Sequence, residues 1–190
     1  MTRLFLIRHG EPEAAWGGDA KDPGLSARGR EQAEAAARTL AAAGPLAIIS
    51  SPMQRCRETA APFEALRGEM VRIEPRVSEV VAPVGVTDRR AWLGENFPWR
   101  DGAGARTWDT LDPALHAWRD GALNAMRELT SDTAVFSHFI AINTIVGAAM
   151  KAPVTIACRP DYASITELEL RDGVLTLVRL GAAMVDGEVR

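Results

Sequence analysis

The chain begins with a short apolar run that leads without a break into Arg8, His9 and Gly10. A neutral imidazole is a good nucleophile near pH 7, because its ordinary pKa is about 6.5. An arginine beside it offers a planar fork of N–H donors that matches the oxygens of a phosphate in pairs. Glycine allows the backbone to approach closely. These three residue types in a row indicate phosphoryl chemistry rather than a strand that simply ends in solvent.

Two later segments place the same residue types after apolar runs. Residues 46–50 are followed by a segment that carries Arg55 and Arg57, and residues 133–137 are followed at once by His138. The carboxyl ends of parallel strands share one edge of a sheet, which is where open α/β sheets bind ligands. His138 would also stand at a helix start, whose free N–H groups favour an anion. The sequence therefore predicts a pocket for a dianionic phosphate.

The elements that must position these groups alternate along the chain as strand and helix, and then end in a hairpin. The predicted strands are 4–7, 46–50, 70–74 and 133–137, the predicted helices are 27–43, 53–66, 113–129 and 139–150, and the hairpin is 164–181. We expect Pro62 to interrupt or kink the second helix. This order predicts an α/β fold, a three-layer α/β/α sandwich with a largely parallel sheet and helices on both faces.

We expect one domain over residues 1–190, because no linker or internal repeat divides the chain. Periodicity fades over residues 75–112, which predicts an irregular, lid-like insert. Three of the five tryptophans lie in this insert, and lid or core packing is their expected role. His116 lies in the predicted helix that follows and is expected to be structural.

Composition narrows the classes of partner and cofactor. The formal net charge of −3 gives no general attraction to nucleic acid or to anionic membranes, so we expect neither as a partner. Cys56 and Cys158 are far apart and form no CxxC pair, which predicts two free thiols in a cytoplasmic protein. Only three histidines occur, without metal-binding spacing, so we expect no metal and no other cofactor.

Five motifs resemble, in the family's order, the histidine phosphatase superfamily, the phosphoglycerate mutase-like proteins: LIRHGEPE, DPGLSARGREQA, SSPMQRCRETA, RVSEV and VFSHF. The resemblance covers most of the chain and points to a phosphatase-type member of the RHG branch. It implies a phosphoglycerate mutase-like fold, with His9 as a nucleophile that becomes phosphorylated. It implies that Arg8, Arg55 and His138 hold the phosphate, and that Glu79 matches the position of an acidic proton donor.

The expected roles follow from the chemistry of an in-line transfer. Arg8, Arg55 and a protonated His138 would face the three equatorial oxygens of the transferred group. Glu79 would protonate the leaving alkoxide and then deprotonate the water that attacks phosphohistidine. Arg57 remains an alternative to Arg55 as the arginine that binds the phosphate.

Two nearby acids, Glu74 and Glu95, remain alternatives to Glu79 as the proton donor. The sequence alone does not separate them, because the segment around these acids has no regular period.

The sequence departs from the family pattern at two places. Many members follow the second histidine with glycine or alanine, whereas Phe139 stands here. Its N–H could still bind the phosphate, and its ring is expected to narrow the pocket. Many members also carry an asparagine six residues after the nucleophile, where this chain has Ala15, followed by Trp16, Gly17 and Gly18. A phosphate contact there would have to use the backbone. Both departures concern the identity of the substrate.

We therefore expect a metal-independent phosphomonoesterase that hydrolyses a small phosphorylated metabolite through phospho-His9. Gly10 and Phe139 complete the expected substrate-binding set, with Arg8, Arg55 and His138. A phosphoglycerate mutase-like phosphoryl transferase, a non-catalytic phospho-ligand binding module and a phosphohistidine-protein phosphatase remain alternatives. Mutases of the family usually have a longer insert and tail, and phosphohistidine-protein phosphatases lack the insert. The sequence leaves the oligomeric state open between monomer and homodimer.

Overall fold

The computed structural model describes residues 1–14, 22–100 and 104–185. Ala15, Trp16, Gly17 and Gly18 lie outside the described residues, so the expected backbone contact there stays a prediction. A six-stranded sheet has the order β3-β2-β4-β1-β5-β6. The strands are β1 (Thr2–Arg8), β2 (Ala47–Ser50), β3 (Arg72–Ile73), β4 (Thr133–Ser137), β5 (Ile165–Arg171) and β6 (Val174–Arg179).

The first four strands in this order are parallel to one another, as predicted: β3, β2, β4 and β1. Strand β1 pairs with β4 so that Arg8 lies opposite Ser137. His9 directly follows the last residue of β1, and His138 directly follows the last residue of β4. The register therefore brings the two histidines to the same edge of the sheet.

Helices cover both faces of the sheet, which confirms the predicted three layers. The helices are α1 (Ala27–Ala41), α2 (Gln54–Arg67), α3 (Arg89–Asn96), α4 (Pro113–Arg127) and α5 (Phe139–Ala149). Apolar side chains of α1 and α2 form one core with β1, β2 and β4, and those of α4 and α5 form another on the opposite face. Burial of these two apolar surfaces is the main stabilising contribution to the fold.

The last two strands form the predicted hairpin and pair antiparallel. Asp172 and Gly173 make its two-residue turn, with φ angles of 51° and 76°. Positive φ at both turn positions matches the right-handed twist of the flanking strands. Strand β5 also pairs antiparallel with β1, so the hairpin adds two strands to the sheet on the side of β1 that faces away from β4.

The expected interruption of the second helix at Pro62 is wrong, because α2 runs unbroken from Gln54 to Arg67. Proline removes one backbone hydrogen bond inside a helix. The side chains of Ala60 and Phe63, before and after this proline, are buried in the core. Their packing stabilises the helix across the proline.

The insert is also more regular than the sequence predicts. It contains α3, which Asp88 caps by accepting a hydrogen bond from the Ala91 N–H at 2.8 Å, and 3-10 turns at Pro75–Val77 and Trp108–Thr110. Trp99 and Trp108 are buried in a third apolar cluster, in agreement with core packing. Sequence periodicity missed α3 because its two turns contribute only Leu93 to the buried surface.

A contact between two backbones fixes the loop after β1 against α1. A Cβ atom added to Gly10 would lie 2.5 Å from the Gly29 carbonyl oxygen, and one added to Gly29 would overlap the Glu11 carbonyl oxygen. No side chain fits at either position. The glycine of the RHG motif therefore serves close packing of the loop that carries His9.

Gly29→Ala should destabilise the protein by about 1–3 kcal/mol, the usual cost of forcing extra volume into a packed site. Gly121→Ala is the matched control, because it also lies inside a helix but its Cβ would meet only Arg76 Cγ, at 4.0 Å. That control should stabilise by up to about 1 kcal/mol, since alanine is favoured in helices. Urea unfolding of both variants measures the difference, and equal stabilities would contradict the backbone contact.

Candidate active site

His9 is held in one tautomer by the backbone that follows it. Its Nδ1 lies 2.8 Å from the Gly10 carbonyl oxygen. A carbonyl can only accept, so Nδ1 carries the proton and Nε2 carries the lone pair. Burial, with the positive charges of Arg55 and Arg8, lowers the pKa of His9 well below its usual range. His9 is therefore a neutral imidazole with a fixed orientation and an available lone pair.

Gly10 supports this arrangement with both of its backbone polar groups. Its N–H donates to Thr59 Oγ1 at 2.9 Å, while its carbonyl accepts from His9. The Thr59 hydroxyl in turn donates to the Arg55 carbonyl oxygen at 2.6 Å. We expected Gly10 among the substrate-binding residues, but its polar groups are engaged within the protein. Gly10 instead ties the loop that carries His9 to the first turns of α2.

Arg8 is fully buried between two aromatic rings. Its guanidinium carbon lies 3.9 Å from the centroid of the Tyr162 ring and 5.2 Å from that of Phe139. Nη1 donates to the Pro160 carbonyl oxygen at 3.0 Å. Nε and Nη2 have no hydrogen-bond partner among residues 1–14, 22–100 and 104–185. Buried donors normally find partners, so donors of a buried guanidinium beside His9 are suited to bind an anion.

Phe139 does not narrow the pocket in the way that the sequence analysis expects. Its side chain is only 1% exposed and packs in the apolar cluster of the insert. The ring also faces the guanidinium of Arg8. Phe139 thus belongs to the support of an arginine rather than to the wall of a pocket.

His138 is fixed through both of its ring nitrogens. Arg55 Nη2 lies 3.1 Å from His138 Nδ1, and His138 Nε2 lies 2.8 Å from Ser51 Oγ. Arginine can only donate, so Nδ1 is the acceptor and the ring proton is on Nε2, which donates to Ser51. Burial and the charge of Arg55 lower the pKa of His138 well below its usual range. In the protein alone His138 is therefore neutral, and its protonation during phosphoryl transfer stays a prediction.

The two histidines lie next to each other, with ring centroids 5.4 Å apart and planes inclined at 63°. Cys56 contacts the second of these histidines, with its Sγ 3.3 Å from His138 Nε2. Burial raises the pKa of the Cys56 thiol to about 12, so it packs as a neutral group. Both cysteines are free, as predicted.

The structure separates the two candidate arginines. Arg55 is buried, whereas Arg57 is exposed on the outer side of α2. Asp22 lies 3.7 Å from Arg55 Nη1, and its carboxylate accepts a hydrogen bond from the Gln54 N–H at the start of α2. Among residues 1–14, 22–100 and 104–185, the partners of the Arg55 guanidinium are thus a carboxylate at 3.7 Å and a histidine nitrogen at 3.1 Å.

Glu79 lies at the N-terminus of α5, directly beyond His138. Its carboxylate accepts hydrogen bonds from the N–H groups of Ile140 at 3.0 Å, Ala141 at 3.2 Å and Val80 at 3.1 Å. Burial raises the pKa of Glu79, and the backbone hydrogen bonds and Arg55 oppose part of that increase. The raised pKa favours the protonated form of Glu79, which is the form that a proton donor needs.

The two alternative acids lie elsewhere. Glu74 is held by Arg76 at 2.9 Å and by Arg72 at 3.3 Å, and hydrogen bonds from Arg76 are the main reason that its pKa falls to about 2. Glu95 is exposed on α3. Of the three acids, Glu79 is the one beside the histidines.

Sequence reasoning missed four residues that shape the site. Ser51 and Thr59 lie inside a motif that the sequence analysis quoted, so their spacing offered a signal. Tyr162 follows α5 in a segment without any motif. Arg89 begins α3, and its charge acts on both Glu79 and His138. The sequence analysis did not predict α3, and for that reason it did not single out Arg89.

A neutral histidine between buried arginines, at the carboxyl edge of a mixed α/β sheet, is an arrangement suited to binding a phosphate group. Residues 4–183 match the family described as the histidine phosphatase superfamily, branch 1. The chain belongs to this family, which confirms the resemblance seen in the sequence.

Two curated relatives illustrate the range of the family. A glucosyl-3-phosphoglycerate phosphatase of Mycolicibacterium vanbaalenii is 37% identical over 127 residues, which are 64% of this chain and 49% of that protein. A probable phosphoglycerate mutase of Photorhabdus laumondii is 30% identical over 170 residues, 80% of this chain and 77% of that protein. The chain spans only about half the length of the first relative.

Solved structures confirm the predicted phosphoglycerate mutase-like fold. A mycobacterial glucosyl-3-phosphoglycerate phosphatase in complex with VO3 superposes with a TM-score of 0.74 and 25% identity, over 96% of this chain and all of that one. The same mycobacterial protein has also been solved with inorganic phosphate. Among the described residues of the present chain, no helix has the length and apolar character needed to cross a membrane.

Arg55→Ala should weaken binding of inorganic phosphate by about 10- to 150-fold, because a hydrogen bond to a charged group is worth about 1.5–3 kcal/mol. Arg57→Ala is the matched control on the same helix and should change binding by about twofold or less, since exposed substitutions cost under about 0.5 kcal/mol. Isothermal titration calorimetry measures both. Equal losses, or a larger loss for Arg57→Ala, would show that the wrong arginine faces the ligand.

Proposed function

We propose that the chain is a metal-independent phosphomonoesterase that hydrolyses a small phosphorylated metabolite through a phosphohistidine on His9. The observation that carries this proposal is the placement of a neutral His9, with its Nε2 lone pair available, beside Arg8 and Arg55. Two buried guanidinium groups can hold the oxygens of a phosphate while the imidazole attacks its phosphorus.

In the first proposed step, His9 Nε2 forms a bond to phosphorus as the bond to the ester oxygen breaks. The Gly10 carbonyl accepts the Nδ1–H and stabilises the positive charge that develops on the ring. Arg8 and Arg55 face the equatorial oxygens, where preorganised positive charge lowers the barrier. Glu79 gives its proton to the leaving alkoxide, and its raised pKa supports this role.

In the second step, water attacks the phosphorus of phospho-His9, and Glu79, now a carboxylate, removes a proton from that water. The bond between phosphorus and Nε2 breaks, and neutral His9 returns with its proton still on Nδ1. The hydrogen bonds from Ile140 and Ala141 stabilise the carboxylate form of Glu79 in this half of the cycle. One residue thus serves as acid and then as base.

The proposed substrate is small and anionic. The relative from Mycolicibacterium vanbaalenii is a glucosyl-3-phosphoglycerate phosphatase by name, which supports a phosphate ester on a compact metabolite. Arg89, on the insert, adds a third arginine whose charge reaches the site. This charge supports substrates that carry negative charge beyond the phosphate, and the insert would cover them as a lid.

A phosphoglycerate mutase-like phosphoryl transferase is the second candidate, favoured by the relative from Photorhabdus laumondii. A mutase must return the phosphoryl group from His9 to a second hydroxyl before water reaches it. Assays with and without 2,3-bisphosphoglycerate distinguish the two activities, because only a mutase needs that donor to regenerate its phosphohistidine. A non-catalytic binding module is disfavoured, because a module that only binds does not need the available Nε2 lone pair of His9 beside Arg8 and Arg55.

His9→Ala should abolish turnover of p-nitrophenyl phosphate while the far-UV circular dichroism spectrum stays unchanged. Wild-type protein that is quenched during turnover should carry acid-labile phosphate, and the variant should carry none. His116→Ala is the control, because this third histidine packs against Trp108, away from the two histidines of the site. Substantial activity in His9→Ala would overturn the proposed mechanism.

Glu79→Gln keeps the shape of the side chain but can no longer exchange a proton. It should slow cleavage of an alkyl phosphate by about 10²–10⁴-fold, the usual contribution of general acid–base catalysis. It should slow the burst of nitrophenolate from p-nitrophenyl phosphate much less, because that leaving group needs no proton. The burst phase must be compared, since the later attack of water still needs the base.

Glu74→Gln is the matched control for the acid. It should leave both rates within about twofold and lower stability instead, because it breaks the ion pairs with Arg72 and Arg76. If Glu79→Gln slows both substrates equally in the burst, or if Glu74→Gln gives the selective effect, Glu79 is not the acid.

A further inference from the structure

We propose that Asn143 is a positioning residue for phosphate binding, because its carboxamide joins the two segments whose aromatic rings enclose the Arg8 guanidinium. The residue lies in α5, outside the motifs that the sequence analysis singles out, and the proposed reaction gives it no role. The inference rests on the proposed function in one respect, because it requires Arg8 to bind the phosphate.

The side chain of Asn143 is fully buried and makes three hydrogen bonds. Its Oδ1 accepts from the N–H groups of Ala157 and Cys158, both at 2.8 Å, and its Nδ2 donates to the Phe139 carbonyl oxygen at 3.0 Å. A backbone N–H can only donate and a carbonyl can only accept, so these partners fix the orientation of the amide. The carboxamide therefore ties the first turn of α5 to residues 157–158.

Each of the two segments that Asn143 joins supplies one aromatic ring to Arg8. Phe139, the first residue of α5, places its ring centroid 5.2 Å from the guanidinium carbon, and Tyr162 places its own at 3.9 Å. Pro160 lies in the same segment as Tyr162, and its carbonyl oxygen accepts from Arg8 Nη1 at 3.0 Å. The spacing of the two rings therefore depends on how firmly this segment is held to α5.

Residues 159–162 are anchored on both sides along the chain. On one side the Ala163 N–H donates to the Arg8 carbonyl oxygen at 3.0 Å. On the other side the anchor is the Asn143 carboxamide. The segment also forms backbone hydrogen bonds with residues 182–184, so loss of the carboxamide should shift the segment without unfolding it. Such a shift would move the guanidinium that the segment contacts.

The orientation of the Arg8 guanidinium matters for anion binding. This group binds phosphate oxygens through a planar fork of N–H donors, so its plane decides whether those donors face the anion. The two rings that lie against the guanidinium hold this plane. Asn143 thus acts on the bound phosphate through Arg8, without contacting the phosphate itself.

The test measures the affinity of the full chain for inorganic sulfate by calorimetry. Sulfate stays a dianion from acidic to neutral pH and so stands in for the phosphate dianion. Asn143→Ala should weaken sulfate binding by about tenfold, which is the lower end of what a hydrogen bond to a charged group contributes.

Thr144→Val is the matched control. Thr144 is equally buried in the same helix, and its hydroxyl donates to the Ile140 carbonyl oxygen at 2.9 Å, within α5. Both variants lose buried hydrogen bonds, so both should lower the midpoint of urea unfolding. Only Asn143→Ala should change the Kd for sulfate, and equal losses of affinity in the two variants would overturn the positioning role.

The Arg8→Ala background decides whether Asn143 acts through Arg8. Once Arg8 is absent, Asn143→Ala should have no further effect on sulfate affinity, because two residues that act through the same group are not additive. An effect of the same size in both backgrounds would show that Asn143 acts by another route, and the inference would be wrong.

Asn143→Asp is the conservative variant, and it decides the question if Asn143→Ala does not fold. Its protonated carboxyl group can accept from both N–H groups and donate to the Phe139 carbonyl, whereas its carboxylate has no donor and repels that carbonyl. Sulfate affinity, relative to wild type at the same pH, should therefore be restored in acid and fall as the pH rises. A ratio that does not change with pH, or a fall that persists in the Arg8→Ala background, would contradict the inference.

The inference and the proposed function fail in different experiments. Wild-type sulfate binding that Asn143→Ala leaves unchanged would overturn the inference alone. Failure of the wild type to bind sulfate, or binding that Arg8→Ala does not weaken, would overturn the phosphate site of the proposed function as well.

Discussion

The site depends on one constraint, which is that two arginine side chains are buried at the edge of the sheet. Removing a charged group from water is costly unless the protein supplies partners. Arg8 receives the faces of Tyr162 and Phe139, the Pro160 carbonyl oxygen and the Met184 sulfur, and the charges of Asp161 and Glu79 also act on it. Arg55 receives a carboxylate at 3.7 Å and a histidine nitrogen. Stability alone does not explain this arrangement, since apolar residues would fill the same space at lower cost.

The same environment keeps both histidines neutral. Burial is the main reason that His9 and His138 have lowered pKa values, and the positive charges of Arg55 and Arg8 add to the effect. A nucleophile must be neutral to attack, so the charges that would attract the phosphate also prepare the imidazole that receives it. The backbone then selects the reactive nitrogen, since the Gly10 carbonyl takes the Nδ1 proton. Close packing of Gly10 on Gly29 holds that carbonyl in place.

Much of this architecture was predictable because strand ends are visible in the sequence. Apolar runs that stop at Arg8 and at His138 are β1 and β4, and their parallel pairing brings the two ends together. The local sequence pattern did not predict which side chains from distant parts of the chain would be in contact. Its position after His138 predicts that Phe139 lines the pocket. Phe139 is instead the first residue of α5, and its ring packs against the guanidinium of Arg8. Tyr162 comes from a segment without any motif, so only the tertiary structure brings it to Arg8.

Glu79 shows how a single carboxyl group can be balanced between two protonation states. Burial favours the neutral acid, while three backbone N–H groups and Arg55 favour the carboxylate. Two of those N–H groups belong to the first turn of α5, where the helix dipole also attracts negative charge. A phosphate held by Arg55 would weaken the support of that arginine for the carboxylate and so favour the acid before the ester bond breaks. In the proposed reaction, departure of the alkoxide with the proton would leave the carboxylate on its backbone donors, where it could activate water. The start of one helix thus carries His138 and also holds Glu79 through the N–H groups of Ile140 and Ala141, so the spacing of these two side chains is fixed.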